Sequence, residues 1–352
     1  MNLPAPYITT TIGSFPHPSA DGLCEQLLAQ LDIPAWPQLP RRTFYENMYA
    51  QYASALPAVH FDAANEKLHI CVDDNVLAAI EAFYTHYIAD DLDYFALKQD
   101  HAAGFYAMLE VMAHAPGSWI KGQVTGPVSF GLTVTDQNGR ATLYHDELAD
   151  VLTKNTAMHA RWQIAQLQVA RPNVLLFIDE PYMAAFGSAY VSLEREAVVA
   201  MLTEIIDAVH AAGALAGVHC CANTDWSVLL ATPVDLLSLD AYGYLDTLAL
   251  YPAELRAFLD RGGWIAWGIV PNTDAITEET PLRLADRLRQ GLHEIADRAQ
   301  RREVDIGVEE LGTRSLLTPS CGLGPTDPVY VQPILESLVQ TSEILQTAQP
   351  SI

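Results

Sequence analysis

Residues 174–219 read VLLFIDEPYMAAFGSAYVSLEREAVVAMLTEIIDAVHAAGALAGVH, which is the pattern of a strand, a helix and a second strand. The apolar runs Val174–Asp179 and Ala214–His219 have the length of buried strands. Between them, Arg195–Ala212 repeats apolar residues every three or four positions, as an amphipathic helix does. Gly213 follows this helix, where a glycine commonly ends one. Since strand, crossover helix and strand form the unit of a parallel sheet, this stretch predicts an α/β fold.

The same alternation extends along the chain in both directions from this unit. Eight strand-like segments separated by helices predict a TIM, or (β/α)8, barrel. The predicted strands are Ile8–Ser14, Asp93–Ala96, Trp119–Thr125, Val174–Asp179, Ala214–His219, Leu236–Asp240, Trp264–Val270 and Ser315–Ser320. The main predicted helices are Glu147–Ala170, Arg195–Ala212, Thr247–Arg261, Pro281–Gln300 and Val329–Gln346.

The chain is longer than such a barrel requires. A barrel of this type takes roughly 250 residues, whereas the chain has 352. Residues 33–72 contain WPQLP and clustered aromatic residues without a strand and helix alternation, so we expect an inserted cap or β-hairpin over the barrel mouth. We find no linker rich in Pro, Gly and Ser, and therefore predict that residues 1–352 form one catalytic domain with residues 33–72 as its insertion.

The charge balance restricts the class of partner. Nineteen basic residues stand against 43 acidic ones, a formal net charge of −24. Such a surface repels nucleic-acid phosphates and anionic lipid heads, so we expect neither nucleic acid nor membrane as a partner. The sequence contains no apolar run of the roughly 18 to 20 residues that a membrane span needs and no signal-peptide pattern at its start. We expect a soluble, cytoplasmic protein.

Reactive side chains follow several predicted strands, at the end where barrels of this kind build their active sites. His219 and Cys221 are two residues apart on an extended strand and therefore share a face. Asp240 follows the sixth strand and Cys321 follows the eighth. Imidazole, thiolate and carboxylate are zinc ligands, so these four residues predict a zinc site that a thiol substrate enters as a thiolate. Ordinary burial is the competing interpretation, because cysteine is among the most often buried residue types.

Two further positions could hold the polar ends of an amino acid. Asp179 ends the fourth strand, where a buried carboxylate needs a cation, and a substrate amino group would serve. A buried ion pair with an internal arginine is the alternative. Gly13 allows close backbone approach, so the amides near Ser14 could receive a carboxylate. A tight turn without a ligand is the alternative there.

These residues, in this order, resemble the catalytic carboxyl-terminal half of cobalamin-independent methionine synthase, within the uroporphyrinogen decarboxylase-like barrel superfamily. The resemblance implies a zinc ion held by His219, Cys221, Asp240 and Cys321, with homocysteine as the thiol. It also implies that the Ile12, Gly13 and Ser14 turn, a catalytic Asp179, and Glu46 as a second acidic clamp hold the amino-acid end. The matching stretches are TTTIGSFPHP (9–18), GPVSFG (126–131), FIDEPYM (177–183), GVHCCANTDW (217–226), LLSLDAYG (236–243), WGIVPN (267–272) and TPSCGLG (318–324).

Three departures from the family pattern bear on the methyl donor. Asp240 stands where the family has a glutamate, one methylene longer. The length leaves no room for the second, amino-terminal barrel that helps to hold the folate. The stretch after WGIVP reads NTDAITEE and lacks the histidine that the family typically has there. We therefore expect a zinc-dependent S-methyltransferase in methionine biosynthesis whose donor is a methylcorrinoid such as methylcobalamin, free or on a carrier protein, rather than methyltetrahydrofolate.

Two other functions remain open from the sequence. A lyase of the uroporphyrinogen decarboxylase type would need a basic pocket for a polycarboxylate, and Arg41 and Arg42 are the only arginine pair near the predicted cap. A non-catalytic protein could use the same zinc to capture thiols or corrinoids.

Overall fold

The computed structural model describes residues 3–188 and 191–347, and its main feature is a curled sheet of seven parallel strands. The strand order in this sheet is β1-β10-β9-β8-β7-β6-β4, and a second sheet has the order β2-β3-β5. The strands are β1 (Ile8–Thr9), β2 (Val59–Asp62), β3 (Lys67–Ile70), β4 (Trp119–Thr125), β5 (Thr135–Asp136), β6 (Asn173–Asp179), β7 (Leu215–Cys220), β8 (Leu236–Leu239), β9 (Trp264–Val270) and β10 (Ser315–Pro319).

Helices connect the parallel strands, as the sequence pattern predicts. Within the described residues, no helix is both long enough and apolar enough to cross a membrane. The helices are α1 (Leu23–Gln30), α2 (Val76–Ile88), α3 (Ala103–Met112), α4 (Pro127–Thr133), α5 (Asp146–Gln168), α6 (Arg195–Ala211), α7 (Trp226–Leu230), α8 (Ala241–Leu248), α9 (Pro252–Asp260), α10 (Pro281–Gln300), α11 (Val308–Thr313) and α12 (Pro328–Thr347).

The α/β fold is confirmed, and three predicted segments have a different local structure. Of the predicted strand Ile8–Ser14, only Ile8–Thr9 forms a regular strand. The predicted strand Asp93–Ala96 is wrong, because Leu92–Phe95 forms a 3-10 helix. The Asp91 carboxylate accepts from the Tyr94 amide there, so a local side-chain bond replaces the ladder bonds of a strand. The predicted helix Thr247–Arg261 is divided, since α8 ends at Leu248 and Pro252 begins α9.

An irregular segment, residues 33–38, runs between the two edge strands of the large sheet. On one side the Ile33 amide donates to the Thr9 carbonyl over 3.0 Å, and on the other the Lys121 amide donates to the Pro34 carbonyl over 2.8 Å. Pro34 itself has no N–H to donate, which prevents a regular ladder. The structure therefore has seven regular parallel strands, rather than the eight predicted, with an irregular segment bonded to both edges.

A β-hairpin lies within residues 33–72. β2 and β3 pair in antiparallel orientation, with Val59 opposite Ile70 and Asp62 opposite Lys67. β3 continues into a parallel pairing with β5, which follows α4. The hairpin is thus joined to the region at the carboxyl end of β4.

Two apolar cores lie on opposite sides of the curled sheet. The larger lies between the sheet and the helices. The smaller fills the concave interior and includes Leu175 and Phe177, alternate residues of β6. Gly217 on β7 leaves the space that the Phe177 ring occupies, because a Cβ there would lie 2.4 Å from the ring. The next residue of this alternation is Asp179, so the interior changes from apolar to polar towards the carboxyl ends of the strands.

Candidate functional site

Three of the four expected metal ligands converge at the carboxyl ends of the strands. His219 lies in β7, Cys221 follows that strand and Cys321 follows β10. Their candidate ligand atoms all lie within 4.8 Å of one another. His219 is buried and the two cysteines are half-buried. The curl of the sheet brings together residues that are about 100 positions apart in the chain.

The His219 ring is oriented by a neighbour that the sequence did not indicate. Ser238 is its register partner on β8, and the Ser238 Oγ lies 3.0 Å from the His219 Nδ1. The His219 Nε2 is buried and has no hydrogen-bond partner among the described residues. A hydrogen bond at Nδ1 leaves the Nε2 lone pair free for a cation, which is the usual arrangement of a metal-binding histidine.

The two cysteines are electrostatically coupled. A hydrogen bond from Cys321 lowers the pKa of the Cys221 thiol, and the nearby His219 lowers it further against the opposing effect of burial. The same interaction raises the pKa of Cys321. One sulfur of the pair is therefore favoured as a thiolate, which is the form that binds a soft or borderline cation.

The loop that carries Cys321 is held from two sides. On one side the Asn272 side-chain amide donates to the Gly322 carbonyl over 3.1 Å. On the other the Gly324 amide donates to the Ser14 hydroxyl over 3.2 Å. A Cβ on Gly322 would lie 2.2 Å from that hydroxyl oxygen, so a larger residue there would displace the Ser14 hydroxyl. These contacts fix the position of the Cys321 sulfur relative to the first and seventh strand ends predicted from sequence.

Asp240 lies beside the three ligands but outside their group. Its carboxylate caps α8, with the Oδ1 accepting from the Gly243 amide over 2.7 Å. Burial raises the pKa of Asp240, and the charge of Cys221 raises it further. Its expected role as a fourth ligand stays a prediction.

Asp179 is a buried carboxylate with one oxygen that the described residues leave without a hydrogen bond. It ends β6, is 8% exposed, and lies opposite His219 in the register of the sheet. Its Oδ1 is buried without a hydrogen-bond partner among the described residues. Burial raises the pKa of Asp179 to about 6, while the charges of Lys121 and His219 act in the opposite direction. The expected bond to a substrate amino group would satisfy this oxygen.

The Ile12 to Ser14 turn presents free amides. The Ile12 carbonyl accepts from the Lys121 ammonium over 2.7 Å. Gly13 has a φ of 134°, and a Cβ there would lie 2.6 Å from the Gln123 side chain. Within residues 3–188 and 191–347, neither the Gly13 nor the Ser14 amide donates to a protein acceptor. They remain available for the predicted substrate carboxylate.

Glu46 is buried, and its carboxylate is already used by the protein. The Oε2 accepts from the Leu39 amide over 3.0 Å, and the Oε1 accepts from the Ala103 amide over 3.2 Å and pairs with Arg42. These bonds hold the segment before the hairpin. The expected role of Glu46 as a substrate clamp stays a prediction.

Sequence reasoning missed two polar residues that lie beneath the site. Lys121 and Gln123 alternate along β4 and are both 0% exposed. The available signal was a lysine and a glutamine, two positions apart, in the otherwise mostly apolar strand WIKGQVT. Fully buried lysine is rare, so this pattern is itself an indication of a specific role.

Comparison with known proteins shows a likeness at the level of structure. No family model and no curated protein matches the chain. Among solved structures, the chain is similar to a B12-independent methionine synthase from Shewanella sp. W3-18-1 in complex with selenomethionine. The TM-score is 0.55 and the identity 16%, and the likeness covers 97% of this chain and 98% of the other. The chain thus shares the fold of that methionine synthase along nearly its whole length.

Proposed function

We propose that this protein is a zinc-dependent S-methyltransferase that converts homocysteine to methionine. The observation that carries the proposal is the convergence of His219, Cys221 and Cys321 within 4.8 Å beside the unsatisfied carboxylate of Asp179. A cation site next to an amino-group site is what an amino-acid thiol requires. The fold shared with a methionine synthase supports the same assignment.

The donor set suits zinc. Zinc takes imidazole nitrogen and thiolate sulfur at about 2.0 to 2.3 Å, and three such donors leave one position for substrate. The buried His219 Nε2 without a partner and the thiolate-prone Cys221 fit this requirement, with Cys321 as the third ligand. When bound, zinc lowers the pKa of a coordinated thiol and so supplies the substrate as a thiolate at neutral pH.

Side chains and backbone amides of the protein bind and orient the acceptor. Ser238 fixes the His219 ring, Asp179 binds the amino group, and the amides of Gly13 and Ser14 bind the carboxylate. The homocysteine sulfur then lies beside the three ligands, with its lone pair directed to the methyl group. The new S–CH3 bond forms as the bond from donor to methyl breaks, and the donor leaves with that electron pair. Orientation supplies much of the acceleration.

The fold shared with a B12-independent methionine synthase contradicts the corrinoid donor that the sequence predicts. A solved structure that matches nearly the full length of this chain is a B12-independent methionine synthase. A methionine synthase of this fold and length therefore does not require methylcobalamin as its methyl donor. The prediction of a corrinoid carrier protein depended on that donor. The sequence argument failed because it inferred the donor from absent features, a second barrel and one histidine, rather than from residues that contact a donor.

The lyase alternative loses its basic pocket in the structure. Arg41 donates to the Gly324 carbonyl over 3.1 Å and to the Thr326 carbonyl over 3.0 Å. Arg42 pairs with Glu46 and donates to a backbone carbonyl over 2.7 Å. Both guanidinium groups therefore connect loops, and a polycarboxylate would have to break these bonds to use them.

A methyl-transfer assay on zinc-loaded protein tests the proposal. Methyl iodide serves as a donor that needs no donor site, and methyltetrahydrofolate serves as a folate donor. We expect methionine from homocysteine and methyl iodide at a rate above the uncatalysed reaction, and expect Cys220→Ala to retain it. Bound homocysteine without acceleration by either probe would contradict a transferase and favour a thiol-binding protein.

A further inference from the structure

Lys121 is the most unusual buried residue outside the three-ligand group. It lies in β4 and is 0% exposed. Its side chain enters the concave interior, since the ammonium lies 4.3 Å from the centroid of the Phe177 ring. Burial of an ammonium group is costly unless specific acceptors and counter-charges compensate. The partners of Lys121 therefore indicate what its charge is used for.

The ammonium determines the orientation of the first-strand turn. The Lys121 Nζ donates to the Ile12 carbonyl over 2.7 Å. The peptide between Ile12 and Gly13 is trans, so its N–H points opposite to its C=O. The Gly13 amide is consequently directed away from the lysine and towards the other side of the turn. The lysine thus selects the direction in which this free donor points.

Gln123 reinforces the same turn. Its Oε1 accepts from the Lys121 ammonium over 3.2 Å, and its Nε2 donates to the Trp36 carbonyl over 3.1 Å. The Gln123 side chain fills the space where a Gly13 Cβ would be, at 2.6 Å. Lys121 and Gln123 together therefore contact both sides of the Ile12 to Gly13 peptide, the lysine at the Ile12 carbonyl and the glutamine at Gly13.

We propose that Lys121 is a positioning residue of the amino-acid subsite, which holds the Ile12 carbonyl and thereby directs the Gly13 amide to the substrate carboxylate. It contacts no reacting atom. The proposal rests on the proposed function in taking an α-amino thiol acid as the ligand. It predicts that the lysine affects the recognition of the carboxylate group and leaves the recognition of the amino group and of the thiol unchanged.

Four ligands that share one thiol separate these effects. They are L-homocysteine, 3-aminopropane-1-thiol without the carboxylate, 4-mercaptobutanoic acid without the amine, and 1-propanethiol without either. Titration calorimetry on zinc-loaded protein gives each Kd. We expect Lys121→Met to raise the Kd of L-homocysteine and of 4-mercaptobutanoic acid by about tenfold or more, the equivalent of one charged hydrogen bond. The Kd of 3-aminopropane-1-thiol and of 1-propanethiol should stay within about twofold, since neither ligand carries the carboxylate that the turn binds.

Lys154→Met is the matched control, because Lys154 pairs with Asp150 and Glu204 on the helix layer. It should leave all four Kd values unchanged. An equal loss for 1-propanethiol and homocysteine in Lys121→Met would overturn the proposal, because it would indicate general damage to the site. Unchanged binding of 4-mercaptobutanoic acid would overturn the role in orienting the turn.

A second pair of variants covers the case in which Lys121→Met does not fold. Asp179→Asn removes the negative charge that acts on Lys121, and Asp179→Asn with Lys121→Met removes this charge and the ammonium together. Relative to Asp179→Asn alone, the double variant should lose a further factor of about ten for 4-mercaptobutanoic acid only. No further loss overturns the proposal. Wild-type protein that binds homocysteine but transfers no methyl group would refute the transferase and leave the subsite intact, whereas equal affinity for homocysteine and 1-propanethiol would refute the subsite itself.

Discussion

The two sides of the sheet at the end of β6 treat their buried carboxylates differently. On the outer side, Glu180 accepts from the Val128 amide over 3.0 Å and from the Ser129 amide and hydroxyl over 2.7 and 2.6 Å. On the inner side, the Oδ1 of the adjacent Asp179 has no hydrogen-bond partner among the described residues. The outer acid is satisfied by the protein itself. The inner acid keeps a free acceptor oxygen, which the proposed binding of a substrate amino group requires.

The adjacent cysteines repeat this difference one strand along. Cys220 is 0% exposed, and burial raises the pKa of its thiol to about 12. Cys221 faces the site, where its neighbours lower the pKa of its thiol. Since successive residues of a strand point to opposite faces, one step along the chain separates a reactive group from a core residue. The comparison teaches that residue type alone does not identify the functional side chains here.

The largest expected effect comes from replacing Cys321, which faces the site, and the control replaces the core residue Cys220. Cys321→Ser should remove a thiolate ligand, and with it most bound zinc and about 10³-fold or more of the methyl-transfer rate. Zinc content measured by mass spectrometry, together with the rate, checks this. Cys220→Ala is the control and should keep stoichiometric zinc. Full zinc content in Cys321→Ser would show that the inner cysteines are no more functional than the outer one.

The next largest effect separates the two carboxylates. Glu180→Ala should lower the free energy of unfolding by about 3 kcal/mol, because it leaves the Val128 and Ser129 amides buried without an acceptor. The free energy comes from urea denaturation followed by circular dichroism. Asp179→Asn should lower the free energy of unfolding by less than Glu180→Ala does, since the Asp179 Oδ1 accepts no hydrogen bond from the described residues. The reverse order would contradict the division into structural and functional acids.

The pH dependence of stability sharpens the same division. Burial raises the pKa of Glu180 to about 7, from an ordinary value of 4.5. Between these pH values the native state holds a proton that the unfolded chain has released. The contribution of Glu180 is therefore fully present below pH 4.5 and is lost as the pH rises through 7, by up to about 3 kcal/mol at roughly 1.4 kcal/mol per pKa unit.

Glu180→Gln supplies the reference for this measurement. The difference in unfolding free energy between wild type and this variant, measured from pH 4 to pH 8, should move against the wild type as the pH rises. A difference that is independent of pH would contradict the raised pKa, because it would mean that the Glu180 carboxyl has the same pKa in the native and unfolded states.

The smallest expected effect concerns the orientation of His219. Ser238→Ala removes the hydroxyl at 3.0 Å from the His219 Nδ1 and should weaken zinc binding by about tenfold, as loss of an outer partner of a metal-bound histidine does. Competition with a chromophoric chelator gives the zinc Kd. Ser227→Ala is a suitable control, because its hydroxyl bonds the Asp225 side chain outside the three-ligand group. An unchanged zinc Kd in Ser238→Ala would show that the ring is held by packing alone.

Some of the fold could be predicted from local patterns, and some could not. Trp119–Thr125 and Trp264–Val270 have the predicted bounds, because a buried parallel strand is a short apolar run that needs little context. Residues 33–38 contain two prolines and no strand pattern, and their place between β1 and β4 depends on bonds to residues about 24 and 87 positions away in the chain. Local pattern carries no information about such pairing.

By itself, the sequence determined the chemistry that the strand ends could offer. The spacing of His219 and Cys221 places both on one strand face, and Cys321 follows another strand of the same sheet. Tertiary structure alone decided which polar groups are satisfied. Ser238 orients His219, Lys121 binds the Ile12 carbonyl, and Asp240 caps a helix. The physical reason is that hydrogen-bond partners depend on strand register and the curl of the sheet, which are set by packing across the whole chain.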